Sequence, residues 1–370
     1  MISHIFSPTS AFARWLRWSL CCFSLCAMLP ACSNAQQVSA QQSQAANAVP
    51  PAAQLYNEPA AQDASSKRAM KIHAVWLPLR QRLAADGLAG PQVDALLATL
   101  PKSPTQSPMG RKIRELYMRK FFPKPRSTGR ASYYKGVLSE TNAKTCRRFA
   151  TENAAIFTWA EQKYGVPASI AVALLFVETR LGAVLGDVPE NAFYTLASMA
   201  ICRRKEDIVE WLPRLPKHEL HADWFEATMP KRADWAYKET YALLKHMIHD
   251  QVPPEHLPGS IYGAVGLCQF MPSNIAVYGA DGNGDARVDL FDLADAVASL
   301  ENYLVRHGWR PGLPREKQHK VLMTYNHAAI YANTILALAD MVEGKPMPSD
   351  AADVTQAHPK KRKKHVRQQQ

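Results

Sequence analysis

Glu178 ends a run that reads Ala168-Ser169-Ile170-Ala171-Val172-Ala173-Leu174-Leu175-Phe176-Val177, and it is the only acid there. A carboxylate in apolar surroundings has its ionised form disfavoured, so its pKa rises. A carboxylic acid is kept protonated near neutral pH in this way for use as a general acid. The residues alone leave two plainer readings open: an ion pair with Arg180 or another cation, or a helix-end glutamate reaching water. A second block runs from Gly259-Ser260 through Gly263, Gly266 and Gln269-Phe270-Met271-Pro272-Ser273. Its glycines permit close backbone approach to a ligand, and Gln269 brings an amide that needs a partner. Pro272-Ser273 reads as a break with a fresh N-cap. The plainer reading is a tight turn between helices. In a third block, Tyr325-Asn326 and Tyr331 at the start of a helix suit the wall of a sugar groove.

An acidic stretch, Asp281-Gly282-Asn283-Gly284-Asp285-Ala286-Arg287-Val288-Asp289-Leu290-Phe291-Asp292, is similar to an EF-hand loop. Oxygen donors at alternating positions, here Asp281, Asn283 and Asp285 with Arg287 at the seventh, suit a structural Ca²⁺. Two positions depart from that pattern. Ala286 stands where glycine makes the sharp turn, at a cost of about 1 kcal/mol. Asp292 stands where a bidentate glutamate is usual. A polar turn with no ion is the alternative.

Helices must position these groups. Ile72, Trp76, Leu79 and Leu83 are spaced for one helix face, and Val93, Leu96, Leu97 and Leu100 for the next, with Gly87 and Gly90-Pro91 between them. Residues 149–164 predict a helix closed by Gly165. Val166-Pro167 then opens the helix of Glu178, which is apolar on all sides and so predicts a central, buried element. No stretch alternates with period two, and no repeat of fixed length is present. The expectation is a mostly-α body over residues 68–343, not a sandwich or a doubly wound sheet.

The ends read differently. Arg14 and Arg17 precede a short apolar run that ends in Leu29-Pro30-Ala31-Cys32. The layout is that of a secretory signal over residues 1–31, with Cys32 as a lipidation site resembling the bacterial lipobox. A plain cleaved signal or an uncleaved anchor is the alternative. Residues 32–67 are rich in Ala, Gln and Ser and read as a tether. Residues 344–370 read as a basic tail around Lys360-Lys361-Arg362-Lys363-Lys364. The chain of 370 residues has a formal charge of +12; the run 360–367 carries six Lys/Arg and no acid, and the signal two and no acid. The body is left only mildly basic, and behind an export signal the charge does not argue for nucleic acid. Cys146, Cys202 and Cys268 match no zinc spacing. Either three buried thiols or one disulfide, Cys146 to Cys202, is expected.

Taken together, the blocks around Glu178, 259–273 and Tyr325-Asn326 resemble the membrane-bound lytic transglycosylase B family. Val177-Glu178-Thr179-Arg180-x-Gly182 and Asn302-Tyr303 with His307-Gly308-Trp309 add to the likeness, which spans roughly residues 70–343. The resemblance implies a lysozyme-like catalytic core with an additional α-helical domain. It implies a single catalytic acid, Glu178, acting on peptidoglycan glycan strands without a cofactor in the chemistry. The alternatives are a lysozyme-type hydrolase or a non-catalytic wall-binding protein. It assigns Ser260, Gln269, Tyr303, Tyr325, Asn326 and Tyr331 to the substrate groove or to support of Glu178. Arg203 and Arg204 fall to peptide or lactyl carboxylates, and Tyr133 or Tyr134 to an upstream groove tyrosine. In that family the acidic loop is longer and closes on a later Asp, here Asp295, which makes Asp292 a helix N-cap. The implied setting is the periplasm, anchored to the outer membrane, with cell-wall synthesis or divisome proteins as partners. The stretch 205–237 is longer than the family pattern, and its Trp211, Trp224 and Trp235 either cover the groove or form a local core.

Overall fold

A computed structural model describes residues 71–123 and 132–351. The signal, Cys32, the tether and the basic run 360–367 lie outside the described residues. Twelve α-helices run through the rest: α1 Leu77–Ala85, α2 Pro91–Ala98, α3 Ser107–Phe121, α4 Glu140–Glu152, α5 Ala154–Tyr164, α6 Ala168–Thr179, α7 Ala192–Ile201, α8 Ala222–His249, α9 Pro272–Tyr278, α10 Leu293–Arg306, α11 Arg315–Tyr325 and α12 Ala329–Val342. Extended pairing among the described residues is confined to isolated bridges, two of them within the 259–273 segment. The mostly-α expectation holds.

α6 is built as its composition demands. Every residue from Ser169 to Val177 is buried, because an apolar helix with no polar face must be covered on all sides. α4, α5, α10 and α12 supply that cover. A second layer centres on the pairing of α7 with α8, to which α1, α2, α3 and α9 add. The long stretch 205–237 forms a local core: Trp224 and Phe225 close on Tyr117 of α3, with ring centroids 5.4 and 5.8 Å away. Trp211 lies so tightly on Gly110 that a Cβ there would come within 2.2 Å of the indole.

Two local expectations are corrected. The single helix over 149–164 is two, α4 and α5. They are broken at Asn153, which leaves helical geometry (φ −116°, ψ 29°) while its amide donates to the Phe149 carbonyl at 2.8 Å. Asparagine offers the backbone a competing hydrogen bond and so ends helices. The N-cap of α9 is Met271 rather than Ser273. Ser273 lies inside the first turn, where its N–H and hydroxyl both donate to Glu239 of α8, at 2.9 and 3.0 Å.

Glu301 of α10 is fully buried, and neither carboxylate oxygen makes a hydrogen bond. Burial, and then the charge of Glu161 on α5, push its pKa up to about 9. In the unfolded chain the group ionises above about 4.3. Between those values the native state holds a proton that the unfolded state has released, so stability falls as pH rises through that window. Glu301→Met keeps the side-chain length and removes the polar atoms. Thermal denaturation across pH should show the variant more stable by ~1–3 kcal/mol near pH 8, with a flatter decline above about pH 5.

Candidate active site

The helix carrying Glu178 ends abruptly. Arg180 (φ 54°) and Leu181 (φ 60°) both take the left-handed conformation, which costs a non-glycine residue about 1–2 kcal/mol. Arg180 N–H donates to the Phe176 carbonyl at 3.0 Å and Leu181 N–H reaches back to the Leu175 carbonyl at 3.3 Å, so carbonyls of the last turn are satisfied within the ending itself. The turn leaves Glu178 on the last helical turn with partial access to solvent. Its Oε1 accepts a 2.5 Å hydrogen bond from the Tyr331 phenol. Burial pushes its pKa up to about 7, against a smaller downward pull from Tyr331. No cation enters that balance, and the Arg180 guanidinium stands over the Phe176 ring at 4.5 Å. The geometry therefore favours the general-acid reading of Glu178 over an ion pair.

An aromatic wall backs the carboxyl. The Tyr331 and Tyr325 rings stack 6.2 Å apart, and Tyr325 meets Tyr303 at 4.9 Å and Phe270 at 5.9 Å. The Tyr325 hydroxyl donates to the Cys268 carbonyl at 2.5 Å, and the Tyr303 hydroxyl to the Thr324 carbonyl at 2.8 Å. Of the two upstream tyrosines, Tyr134 is the one whose phenol is pushed up by the charge of Glu178 as well as by burial. Tyr133 feels Asp350 instead. Asn326 is buried, with its side-chain carbonyl making no hydrogen bond.

The 259–273 segment lies against the end of α6. Gln269, strained at φ 52°, donates its amide to the carbonyls of Gly266 (3.0 Å) and Leu185 (3.2 Å). Ser260 is fully buried, and its hydroxyl oxygen accepts the N–H groups of Tyr262 and Ala264, so in this structure it braces the turn. Arg203 and Arg204 stand elsewhere. Arg203 shares Asp234 with Arg82, and Arg204 pairs with Asp207 at 3.5 Å. Arg203 borders a cleft of about 1010 Å³ that Tyr194, Tyr237 and Glu190 also line and Glu178 does not. Cys146, Cys202 and Cys268 are free and buried, so the Cys146–Cys202 disulfide is not formed.

Three supporting residues escaped the sequence reading. Thr179 is fully buried, and its hydroxyl donates to the Leu267 carbonyl at 2.9 Å. Asp187 accepts the Ile261 N–H at 2.6 Å. Glu239 holds Ser273, as above. Each partner lies 34 to 88 residues away along the chain, so no local pattern signals it.

In the acidic loop, Asp281 accepts the N–H groups of Gly284 and Ala286, Asn283 that of Asp285, and Asp285 that of Arg287. Asp295 accepts those of Gly282, Asn283 and Asp289, and Asp292 caps α10. Ala286 takes the left-handed turn at φ 65°. Among the described residues no group of three or more His, Cys, Asp or Glu side chains is drawn together to hold a metal. The donor types still fit a hard cation, because the curl of the loop is already made and its side-chain donors are all oxygen. The loop, distant from Glu178 in sequence, touches the site's own segment in space. Leu267 N–H donates to the Leu290 carbonyl at 2.8 Å, and a Cβ on Gly266 would lie 2.3 Å from that of Leu290.

Comparison with known proteins matches the same region. The family model described as transglycosylase SLT domain covers residues 71–318. Membrane-bound lytic murein transglycosylase B of Escherichia coli K12 is 34% identical over 153 residues, 41% of this chain and 35% of that protein, so the match spans about a third of the relative's length. Among solved structures, SltB3 of Pseudomonas aeruginosa in complex with NAG-NAM-pentapeptide superposes with a TM-score of 0.55 at 20% identity, over 73% of this chain and 79% of that one. The Escherichia coli lytic transglycosylase Slt35 in complex with calcium gives 0.52 at 20% identity, over 75% and 97%. These likenesses support the lysozyme-like fold class. With the family model covering more than half of the chain, the protein belongs to the transglycosylase SLT-domain family.

Proposed function

We propose that the protein is a lytic transglycosylase that cuts peptidoglycan between N-acetylmuramic acid and N-acetylglucosamine, with Glu178 as its single catalytic acid. The observation that carries this reading is a solvent-reaching carboxyl with its pKa near 7, held by Tyr331 at one oxygen. At neutral pH a large fraction of it is protonated and able to donate to the glycosidic oxygen. The N-acetyl group of the substrate then stabilises the developing cation. The ionised Glu178 takes the proton of the muramoyl C6 hydroxyl, whose oxygen attacks C1 and closes a 1,6-anhydro ring. No water is consumed. A glycosidase of the two-carboxylate kind needs a second acid. Asp187, near in sequence, accepts the Ile261 N–H at 2.6 Å and so braces the 259–273 segment. On this reading Gln269, Tyr325, Asn326 and Tyr134 border the sugar subsites around Glu178. The names of the relatives, a murein transglycosylase and a complex with NAG-NAM-pentapeptide, point to the same substrate.

The acidic loop is read as a structural Ca²⁺ site held by Asp281, Asn283, Asp285, the Arg287 carbonyl and Asp295, in keeping with the calcium complex of Slt35. The leader is read as that of an outer-membrane lipoprotein facing the periplasm, lipidated at Cys32. Among the described residues no helix is long and apolar enough to cross a membrane.

Mass spectrometry of a sacculus digest should show anhydro-muropeptides with the native protein and none with folded Glu178→Gln. Reducing ends in their place would mark a lysozyme-type hydrolase, and no products at all a binding protein. Turnover should fall as pH rises through about 7, since the proton to be donated is lost there. Tyr331→Phe removes the bond that pulls this pKa down, so the basic limb of its pH–rate profile should move to higher pH. Calorimetry should register Ca²⁺ binding and a higher melting temperature. No heat and no effect of chelator would make the loop a polar turn.

A further inference from the structure

Thr179 sits beside the proposed acid and makes three contacts that no part of the mechanism uses. It is fully buried, next to a carboxyl that must reach solvent. Its hydroxyl donates to the Leu267 carbonyl at 2.9 Å, with the Leu175 carbonyl of its own helix farther off at 3.2 Å. Its oxygen accepts the Gly182 N–H at 3.1 Å. A threonine in a helix ordinarily bonds back to its own helix four residues earlier. Here the nearer acceptor belongs to a segment 88 residues away. Leu267 is itself held from the other side, its N–H donating to Leu290 of the acidic loop. Its neighbours Cys268 and Gln269 carry the carbonyl that receives Tyr325 and the amide that ties the segment to Leu185.

We infer that Thr179 is a positioning residue for Glu178: its hydroxyl fixes the strained end of α6 against Leu267, and so sets the distance between the carboxyl and the Cys268–Gln269 wall. The inference rests on the reading of Glu178 as the acid. The two left-handed residues that follow, Arg180 and Leu181, resist their own conformation. A turn under that strain holds its place only where neighbouring contacts over-determine it. The Thr179 hydroxyl joins this turn to the opposite wall by a hydrogen bond, beside the packing of Gly182 on the Leu267 side chain, and the Gly182 N–H joins it to the far end of the same turn. A displacement of about 1 Å at a reacting group can cost on the order of a hundredfold in rate.

The test compares Thr179→Ser with Thr179→Ala in the full-length protein. Both lose the methyl group, and they differ only by the hydroxyl. With soluble glycan strands as substrate, Thr179→Ser should keep kcat within about threefold of native. Thr179→Ala should lose about 10- to 100-fold in kcat with KM within about twofold, the pattern of a group needed in the transition state and not for binding. Circular dichroism should show both variants folded. A residue with only a structural role would lower the melting temperature and the active fraction without separating kcat from KM at a fixed folded fraction. Equal kcat in the two variants overturns the inference, as does a loss confined to KM. If Glu178→Gln retains turnover, the reading of the acid fails first. If Glu178→Gln is inactive while Thr179→Ala matches Thr179→Ser, the positioning role alone fails.

Discussion

A carboxyl group taken out of water has to be kept neutral, paired or hydrogen-bonded, and the architecture around Glu178 follows from that constraint. An all-apolar helix, α6, can exist only if other helices cover it, and its cover raises the pKa of the one acid it carries. Full desolvation would drive the proton too firmly onto the oxygen to be useful. The phenol of Tyr331 offsets part of this by donating to the ionised form. Tyr331 must then be fixed in turn, which the stacked Tyr325 and the buried face of α12 accomplish. The aromatic wall is thus a consequence of needing one phenol at a set distance from one carboxyl.

The same constraint explains why strain gathers at this point. The chain turns out of α6 directly after the acid, through two residues in a conformation that favours glycine. Gln269, on the facing wall, is left-handed too. Strained backbone persists where the surroundings over-determine it, and such places concentrate at functional sites. The surroundings here are three chain segments meeting at Leu267: the end of α6 through Thr179, the glycine-rich segment itself, and the acidic loop through Leu290. Gly266 has to be glycine because the loop approaches closer than a Cβ would allow.

Much of this was legible from composition and spacing. The apolar run around Glu178 implied a buried helix, and every residue from Ser169 to Val177 is covered. The acidic loop implied a sharp sixth position, and Ala286 takes it at φ 65°. Asp292 caps α10 as the longer-loop pattern required. What could not be read were pairings between segments far apart in the chain. Glu239 and Ser273, Asp187 and Ile261, and Thr179 and Leu267 each need a fold before they need one another. The same holds for Arg203, whose partner Asp234 lies in α8. Periodicity also carried the prediction through Asn153, where a single side-chain amide was enough to stop the helix.

Burial by itself does not mark an acid for catalysis, and this protein shows why. Glu301, Glu239 and Asp295 are all buried, and burial raises the pKa of each. Glu301 is sealed between helices without a donor, so its proton has nowhere to go. Glu239 spends both oxygens on Ser273, and Asp295 spends both on loop N–H groups. Their donors stabilise the ionised form but leave no oxygen open to a substrate. Glu178 combines what the others hold separately. On the function proposed above, it has enough burial to keep a proton near neutral pH, one donor that favours the ionised form, and partial exposure at the end of its helix. The distinction lies in which oxygens are already committed, and it can be drawn only once the partners contributed by distant segments are in place.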